Sequence, residues 1–224
     1  MNTDNRTKRK NRIRDELPRL FPQVTPEQWL ALERYLELLR EWNLRVNLVS
    51  RRDIPHLWER HILPSLIPLV CVGMLPESEC LDIGSGGGFP ALPLKMARPD
   101  LQYVLVESVR KKSLFLRKVV RELRLEGIVV VNERVERWAL QEGLQGRFDW
   151  ITARAVAPVA TLVEWGLPLL KSEGRFLLWK GEQDRSELQE AANRWGLRYA
   201  VIHPERRLPQ RKELRGLRLF VLQR

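Results

Sequence analysis

The hydrophobic positions of the N-terminal quarter recur at helical spacing. Steps of three and four residues place them on one face of a helix. Residues 25–28, Thr-Pro-Glu-Gln, combine an N-cap residue, a proline at the first helical position and a glutamine three residues after the cap. The pattern predicts an amphipathic helix that begins after Thr25. The apolar residues that share its face are Trp29, Leu32, Leu36, Leu39 and Trp42.

Two different patterns follow this helix. Residues 42–50 alternate apolar side chains with two asparagines and break the helical period, which predicts a functional loop. Residues 56–69 are again helical in pattern, but Pro64 and Pro68 are predicted to weaken or kink this helix. His61 lies in this second helix, where a structural hydrogen bond is the alternative to a functional role.

From residue 80 onward, short apolar runs alternate with amphipathic helices. This alternation predicts a parallel sheet with right-handed crossovers, closed by an antiparallel pair at residues 199–203 and 217–222. Helices are predicted to about Arg98 and over 110–125, 158–170 and 186–195. On the helix over 110–125, residues 114, 116, 119, 120 and 123 are predicted to point inward. The predicted parallel strands are Cys80–Gly84, Leu101–Glu107, Ile128–Val131, Phe148–Ala153 and Gly174–Lys180.

A glycine cluster follows the first predicted strand, at Gly84, Gly86 and Gly88. Glycines permit positive φ and let a ligand approach the backbone with no Cβ in the way. The spacing is G-x-G-x-G, and Phe89 stands where a dinucleotide-binding loop has its third glycine. With the acidic Asp82 just before it, this variant is typical of nucleoside cofactors without a pyrophosphate, above all S-adenosylmethionine. A tight turn with nothing bound is the alternative.

Further candidate residues stand at the ends of the next strands. Glu107 ends the second strand, 23 residues after Gly84. A carboxylate in that position of a doubly wound fold accepts hydrogen bonds from both hydroxyls of a ribose, whereas a solvated strand end is the alternative. Val135 and Glu136 follow the third strand and are placed to bracket an adenine ring.

The charge of the chain favours a polyanionic partner. The formal net charge is +11 and the isoelectric point is near 10.2, which favours nucleic acid, although a generally basic proteome is the alternative. Residues 1–16 are highly charged and are predicted to form a flexible arm, which either contacts RNA or is a simple disordered terminus. The basic clusters lie at residues 8–14, 51–52, 110–112 and 206–212.

Composition also bounds the compartment and the metal chemistry. No apolar run approaches about 20 residues and no signal peptide precedes the first helix, so a cytoplasmic protein is predicted. Two cysteines and three histidines show no metal-ligand spacing, and no metal site is predicted.

Short motifs in a fixed order across residues 25–182 carry a resemblance to a known family. Together they make the chain similar to the RsmG (GidB) family, which methylates guanine N7 in small-subunit (16S) ribosomal RNA. The chain departs from that family at Val49, Pro64 and Ala91, where threonine, aspartate and glycine are usual. The motifs are Trp42-Asn43, Val46-Asn47-Leu48, Arg60-His61-Ile62-Leu63 with Ser65, the segment 82–90, Leu105-Val106-Glu107-Ser108, Lys111-Lys112 with Phe115-Leu116, Arg134-Val135-Glu136, Phe148-Asp149, Ala153-Arg154-Ala155 and Lys180-Gly181.

The resemblance implies an α/β fold of the class I S-adenosylmethionine-dependent methyltransferases. This fold is a Rossmann-like doubly wound sheet with an antiparallel last strand, here with a small N-terminal helical extension. The implied domains are the arm at 1–16, a substrate-side helical extension at 17–70 and the methyltransferase domain at 71–224. The implied cofactor contacts are Gly84, Phe89, Val135, Glu136 and Arg154, with Glu107 in the ribose position.

The resemblance also suggests substrate-side residues and partners. Arg154 and Lys180 are candidates for orienting the cofactor carboxylate and guanine O6 or a phosphate, and Asn47 and His61 are substrate-side candidates. The expected partner of a monomeric enzyme is 16S ribosomal RNA or the small ribosomal subunit. A small-molecule methyltransferase and a nonenzymatic RNA-binding protein with the same fold are the alternatives.

Overall fold

The fold is built around one seven-stranded sheet. The structure is a computed structural model, and it describes residues 13–224. The strand order is β3-β2-β1-β4-β5-β7-β6. β1 to β5 pair in parallel, whereas β7 runs antiparallel to both β5 and β6. The predicted doubly wound sheet with an antiparallel last strand is confirmed. The strands are β1 (Glu79–Ile83), β2 (Gln102–Val106), β3 (Ile128–Val131), β4 (Phe148–Arg154), β5 (Leu170–Gly181), β6 (Arg198–Ile202) and β7 (Leu217–Gln223).

Helices cover both faces of this sheet. In the described part of the chain, none of them is both long and apolar enough to cross a membrane. The α-helices are α1 (13–20), α2 (Pro26–Asn43), α3 (Leu63–Leu66), α4 (Pro68–Cys71), α5 (Ala91–Ala97), α6 (Arg110–Glu122), α7 (Val135–Trp138), α8 (Val159–Gly166), α9 (Arg185–Trp195) and α10 (Pro204–Arg207).

The N-terminal helices share a core with the sheet. Leu17, Leu36 and Leu63 belong to the same buried cluster as α5, α6 and β5, whereas α8 and α9 pack on the opposite face. A buried hydrogen bond of 2.8 Å from Trp179 Nε1 to the carbonyl oxygen of Pro64 joins this helical layer to β5. Residues 1–12 of the predicted arm lie outside the described residues, and residues 13–16 already belong to α1.

The beginning of α2 follows the sequence prediction. The Thr25 hydroxyl accepts a hydrogen bond from Gln28 N, and the Gln28 side chain accepts one from Thr25 N. This reciprocal capping box satisfies two N–H groups that the first turn of a helix leaves without partners, and a cap is worth about 1 kcal/mol.

Two details differ from prediction. Residues 54–71 form a 3₁₀ turn (Ile54–His56), a π turn (Trp58–Ile62), α3 and α4 instead of one continuous helix. Pro64 and Pro68, which have no N–H to donate, lie in the first turns of α3 and α4, where the helix is interrupted. On α6 the predicted inward position of Leu114 is wrong: its side chain is 44% exposed and the adjacent Phe115 is buried.

Candidate functional site

The candidate residues converge where the parallel strands end. β1 lies between β2 and β4, so the strand order reverses beside β1 and leaves a crevice at the carboxyl edge of the sheet. The glycine loop follows β1, Glu107 follows β2, and Arg154 is the last residue of β4. Parallel strands bring these three segments to the same edge.

The glycine loop has a backbone that only glycine adopts readily. Gly84, Gly86 and Gly88 have φ angles of +66°, +53° and +95°. A Cβ on Gly84 would also lie 2.7 Å from the side chain of Val156, which crosses above it. The N–H of Gly84 donates to Val106 O at 2.9 Å, so the loop is fixed to the end of β2. The glycine conformations and this hydrogen bond together define the shape of the loop.

Glu107 connects the glycine loop to the beginning of α6. Its carboxylate is buried and accepts hydrogen bonds from Gly86 N at 2.8 Å and from Val109 N at 2.7 Å. A carboxylate has about four lone-pair positions, so two remain for a ligand. The predicted ribose role stays a prediction.

Asp82 is a buried acid beneath the same loop. Its Oδ1 accepts a hydrogen bond of 2.7 Å from the Thr152 hydroxyl, and its Oδ2 has no partner among residues 13–224. Burial raises the pKa of Asp82 to about 7, although hydrogen bonds from Thr152 and Ser85 oppose the rise. Sequence reasoning missed Thr152, whose signal was a polar side chain between the apolar Ile151 and Ala153 of β4.

Arg154 joins the sheet edge to the N-terminal layer. Its Nη2 donates to Arg60 O at 2.5 Å, and its Nη1 is buried without an acceptor within the described chain. Burial lowers the pKa of Arg154 to about 10. The next residue, Ala155, has a positive φ of 55°, a conformation that is strained for a residue with a Cβ and directs the chain across Gly84.

His61 faces this crevice from the N-terminal layer. Its ring centroid lies 4.6 Å from that of Phe89, and its Nε2 is 3.2 Å from Asp53 Oδ2. Burial, followed by the charge of Arg154, lowers the pKa of His61 to about 4, so the imidazole is neutral at pH 7. Asp53, which also pairs with Arg60, was not among the predicted residues because it lies outside every recognised motif.

Asn47 lies in an exposed loop above the glycines. Residues 47–51 line a cavity of about 490 Å³, and Leu48 O is 3.3 Å from the Cβ position of Gly87. The buried Asn43 holds this loop, since its Oδ1 accepts hydrogen bonds from Leu48 N at 2.9 Å and Val49 N at 3.0 Å. Sequence reasoning placed Asn43 in a motif without recognising this function.

The remaining candidates lie at the two sides of the crevice. Val135 is buried at the start of α7, and Glu136 forms a 3.5 Å ion pair with Arg134. Lys180 donates to Ala157 O at 3.1 Å and pairs with Glu187 at 3.3 Å. In this arrangement Lys180 supports the segment that follows Arg154, and its predicted contact with cofactor or substrate stays a prediction.

Comparison with known proteins gives the family. Residues 28–207 match the family model GidB, described as rRNA small subunit methyltransferase G. The protein named Ribosomal RNA small subunit methyltransferase G from Roseiflexus castenholzii is 47% identical over 158 residues, which are 70% of this chain and 67% of that protein. The protein of the same name from Streptococcus pneumoniae serotype 19F is 35% identical over 195 residues, 83% of this chain and 82% of that protein.

Solved structures agree on the fold. A SAM dependent methyltransferase from Aquifex aeolicus has a TM-score of 0.57 at 12% identity, covering 77% of this chain and 95% of that chain. The resemblance found in the sequence is confirmed by the family model, which spans residues 28–207. The chain belongs to the GidB family, rRNA small subunit methyltransferase G.

Proposed function

We propose that this protein transfers the methyl group of S-adenosylmethionine to N7 of a guanine in 16S ribosomal RNA. The observation that carries the proposal is the combination of family membership with a glycine loop whose shape is already fixed. The expected site of action is the cytoplasm, on free RNA or on the assembling small subunit.

The residues at the sheet edge fit this cofactor. At Gly86 the direction of a Cβ is open, since the nearest atom is Gly84 O at 3.7 Å, whereas Val156 and Leu92 fill that direction at Gly84 and Gly88. Glu107 retains lone pairs for ribose hydroxyls, and Val135 with Glu136 would flank the adenine. Asp82 Oδ2 and Arg154 Nη1 are buried groups without partners in the described chain. They would receive the ammonium and the carboxylate of the amino acid portion.

Chemistry at N7 demands positioning more than proton transfer. The bound cofactor supplies an electrophilic methyl group on a sulfonium. Guanine N7 has an in-plane lone pair and no proton, so bond formation requires no general base, and alignment at near-attack distance supplies most of the rate. The neutral His61, with a pKa of about 4, is a poor base and suits a site that only orients its substrate.

The substrate side is proposed to be the N-terminal helical layer. Its loop at residues 47–51 carries Asn47 and lines a cavity of about 490 Å³, and Leu48 of this loop lies against Gly87. Guanine N7 must come within reach of the cofactor at the carboxyl edge of the sheet, so an exposed guanine, or one that leaves its stack, is the expected target.

Methyl transfer to defined RNA tests the proposal. The purified protein is incubated with labelled S-adenosylmethionine and 16S ribosomal RNA, and the labelled nucleotide is mapped. We expect a single 7-methylguanosine in the RNA and no label with Arg154→Ala. Labelling of small molecules but not RNA would support a small-molecule enzyme, and failure to bind S-adenosylmethionine would support a nonenzymatic RNA-binding protein.

A further inference from the structure

A basic loop connects the last two strands at the carboxyl edge of the sheet. This β6–β7 loop, residues 203–216, contains five arginines and lysines and two glutamates. Ile202, at the end of β6, pairs with Leu219, and Leu217 pairs with Gly181, the last residue of β5. Both ends of the loop therefore lie at the carboxyl edge, which also carries the glycine loop.

Ion pairs and apolar contacts fix the shape of this loop. Arg211 pairs with Glu16 on α1, and Arg218 pairs with Glu205 at 3.0 Å and with Glu182. Leu214 is completely buried in the core that the N-terminal helices share with the sheet. The loop is thus held on the body of the protein at several points.

The other cations of the loop do not help to hold it on the body of the protein. Their side chains are exposed, and none forms an ion pair or hydrogen bond with another residue of the described chain. Glu213 is the exposed acid within the loop, and the nearby Glu182 is already paired with Arg218, so the outward charge of the loop is positive. These cations are Arg206, Arg207, Lys212 and Arg215.

The position of the loop suits a long anionic ligand. Adjacent strands lie about 4.8 Å apart, so β7, which is three strands from β1, lies roughly 14 Å from the strand that leads into the glycine loop. On the other side, the exposed Arg110 and Lys111 begin α6 next to β2. Positive charge therefore lies on both sides of the crevice along one edge.

We propose that the β6–β7 loop binds the phosphate backbone of the substrate RNA outside the methylation site. The inference rests on the proposed function, and RNA is favoured because unpaired cations on both sides of one crevice match a continuous line of phosphates. Such contacts position the RNA without reading its sequence. The loop then contributes to RNA affinity and not to the chemical step.

The test compares two variants of equal charge. The first carries Arg206→Gln, Arg207→Gln, Lys212→Gln and Arg215→Gln. The control carries Arg121→Gln, Arg124→Gln, Arg194→Gln and Arg198→Gln, which neutralise exposed arginines at the opposite edge of the sheet, where α6 and α9 end and β6 begins. Thermal unfolding and S-adenosylmethionine affinity verify that both variants are folded.

We expect the loop variant to lose RNA affinity selectively. The KM for 16S ribosomal RNA should rise about tenfold or more near 0.15 M salt, and the removal of four phosphate-binding side chains should reduce the salt slope of log K by about 2.8 to 3.6. The kcat at saturating RNA should be unchanged, and the control should match the wild type. Wild-type KM and slope in the loop variant would overturn the inference.

Two further outcomes separate the possible causes. If the wild type methylates no RNA, the proposed function fails, while direct RNA binding by the two variants still tests the loop. If the loop variant binds free RNA normally but loses activity on partly assembled small subunits, the surface contacts a ribosomal protein, and the inference is overturned.

Discussion

At the scale of single residues, Glu107 has the most sharply defined position. Its carboxylate accepts hydrogen bonds from two backbone N–H groups and would accept two more from the hydroxyls of a ribose. Glu107→Ala should weaken S-adenosylmethionine binding at least tenfold, because hydrogen bonds to a charged acceptor contribute about 1.5–3 kcal/mol each. Calorimetry measures the loss, and Glu126→Ala, an exposed acid at the opposite edge, is the control. An unchanged affinity would eliminate the ribose role.

Asp82 should make cofactor affinity depend on pH. Its pKa of about 7 in the free protein means that the carboxylate is half protonated near neutrality. The cofactor is cationic at its ammonium and sulfonium, so affinity should fall by up to about tenfold per pH unit below pH 7 and level off above it. Titrations at pH 6, 7 and 8 measure this change.

Two variants test whether Asp82 is responsible for that dependence. Asp82→Asn should bind weakly at every pH, with the dependence removed. Thr152→Val removes a donor that lowers the pKa of Asp82, so the midpoint should move to higher pH. A midpoint that persists in Asp82→Asn would assign the titration to another group.

His61 should leave the chemical step independent of pH. With a pKa of about 4 it is neutral throughout the range from about pH 6.5 to 9, and N7 loses no proton. Single-turnover rates at saturating cofactor and RNA should therefore be flat across this range. His61→Ala should lower the rate by displacing its neighbours, without a new pH dependence. A log-linear rise that disappears in His61→Ala would make His61 a base and exclude N7.

At the scale of elements, the loop after α2 depends on one buried side chain. Asn43 Oδ1 accepts hydrogen bonds from Leu48 N and Val49 N, which belong to the loop that lines the cavity of about 490 Å³. Asn43→Ala should lower kcat about tenfold or more while S-adenosylmethionine affinity stays near the wild-type value, because misplacement of a substrate loop affects mainly the reacting geometry. Asn43→Asp retains the acceptor and should be less impaired. Equal kcat in all three proteins would contradict a positioning role.

Sequence patterns specified the elements better than the contacts between them. The cap of α2, the strands and the glycine loop each depend on residues that are close together in the sequence. Spacing and residue type were therefore sufficient to predict them. The contact between Arg154 and Arg60 joins residues 94 positions apart, and no local pattern encodes it. The same limit explains why two residues were not predicted: Thr152, which bonds to Asp82, and Asp53, which lies beside His61. On α6, Leu114 and Phe115 are both apolar neighbours, so the helical pattern alone did not decide which one is buried.

At the scale of the whole molecule, the positive charge should control RNA affinity. Arg51, Arg52 and Lys111 are exposed and Lys112 is half-buried, and within residues 13–224 none of the four forms an ion pair. Their reversal to glutamate should lower RNA affinity and flatten its salt dependence, by about 0.7–0.9 in slope for each phosphate that is no longer neutralised. S-adenosylmethionine affinity should hardly change. Equal RNA binding at every salt concentration would place the RNA surface elsewhere.

The hydrogen bond from Trp179 to Pro64 also affects how the protein is made. It spans 115 residues, and the bond from Arg154 to Arg60 spans 94. A ribosome synthesises the N-terminal helices first, but their anchoring partners emerge only with β4 and β5. Because domains fold as units and such distant contacts form late, the N-terminal helical layer is expected to be anchored only once the second half of the sheet has formed. A chain interrupted before residue 154 has neither anchor, so the proposed RNA-binding crevice can be complete only after most of the chain has been synthesised.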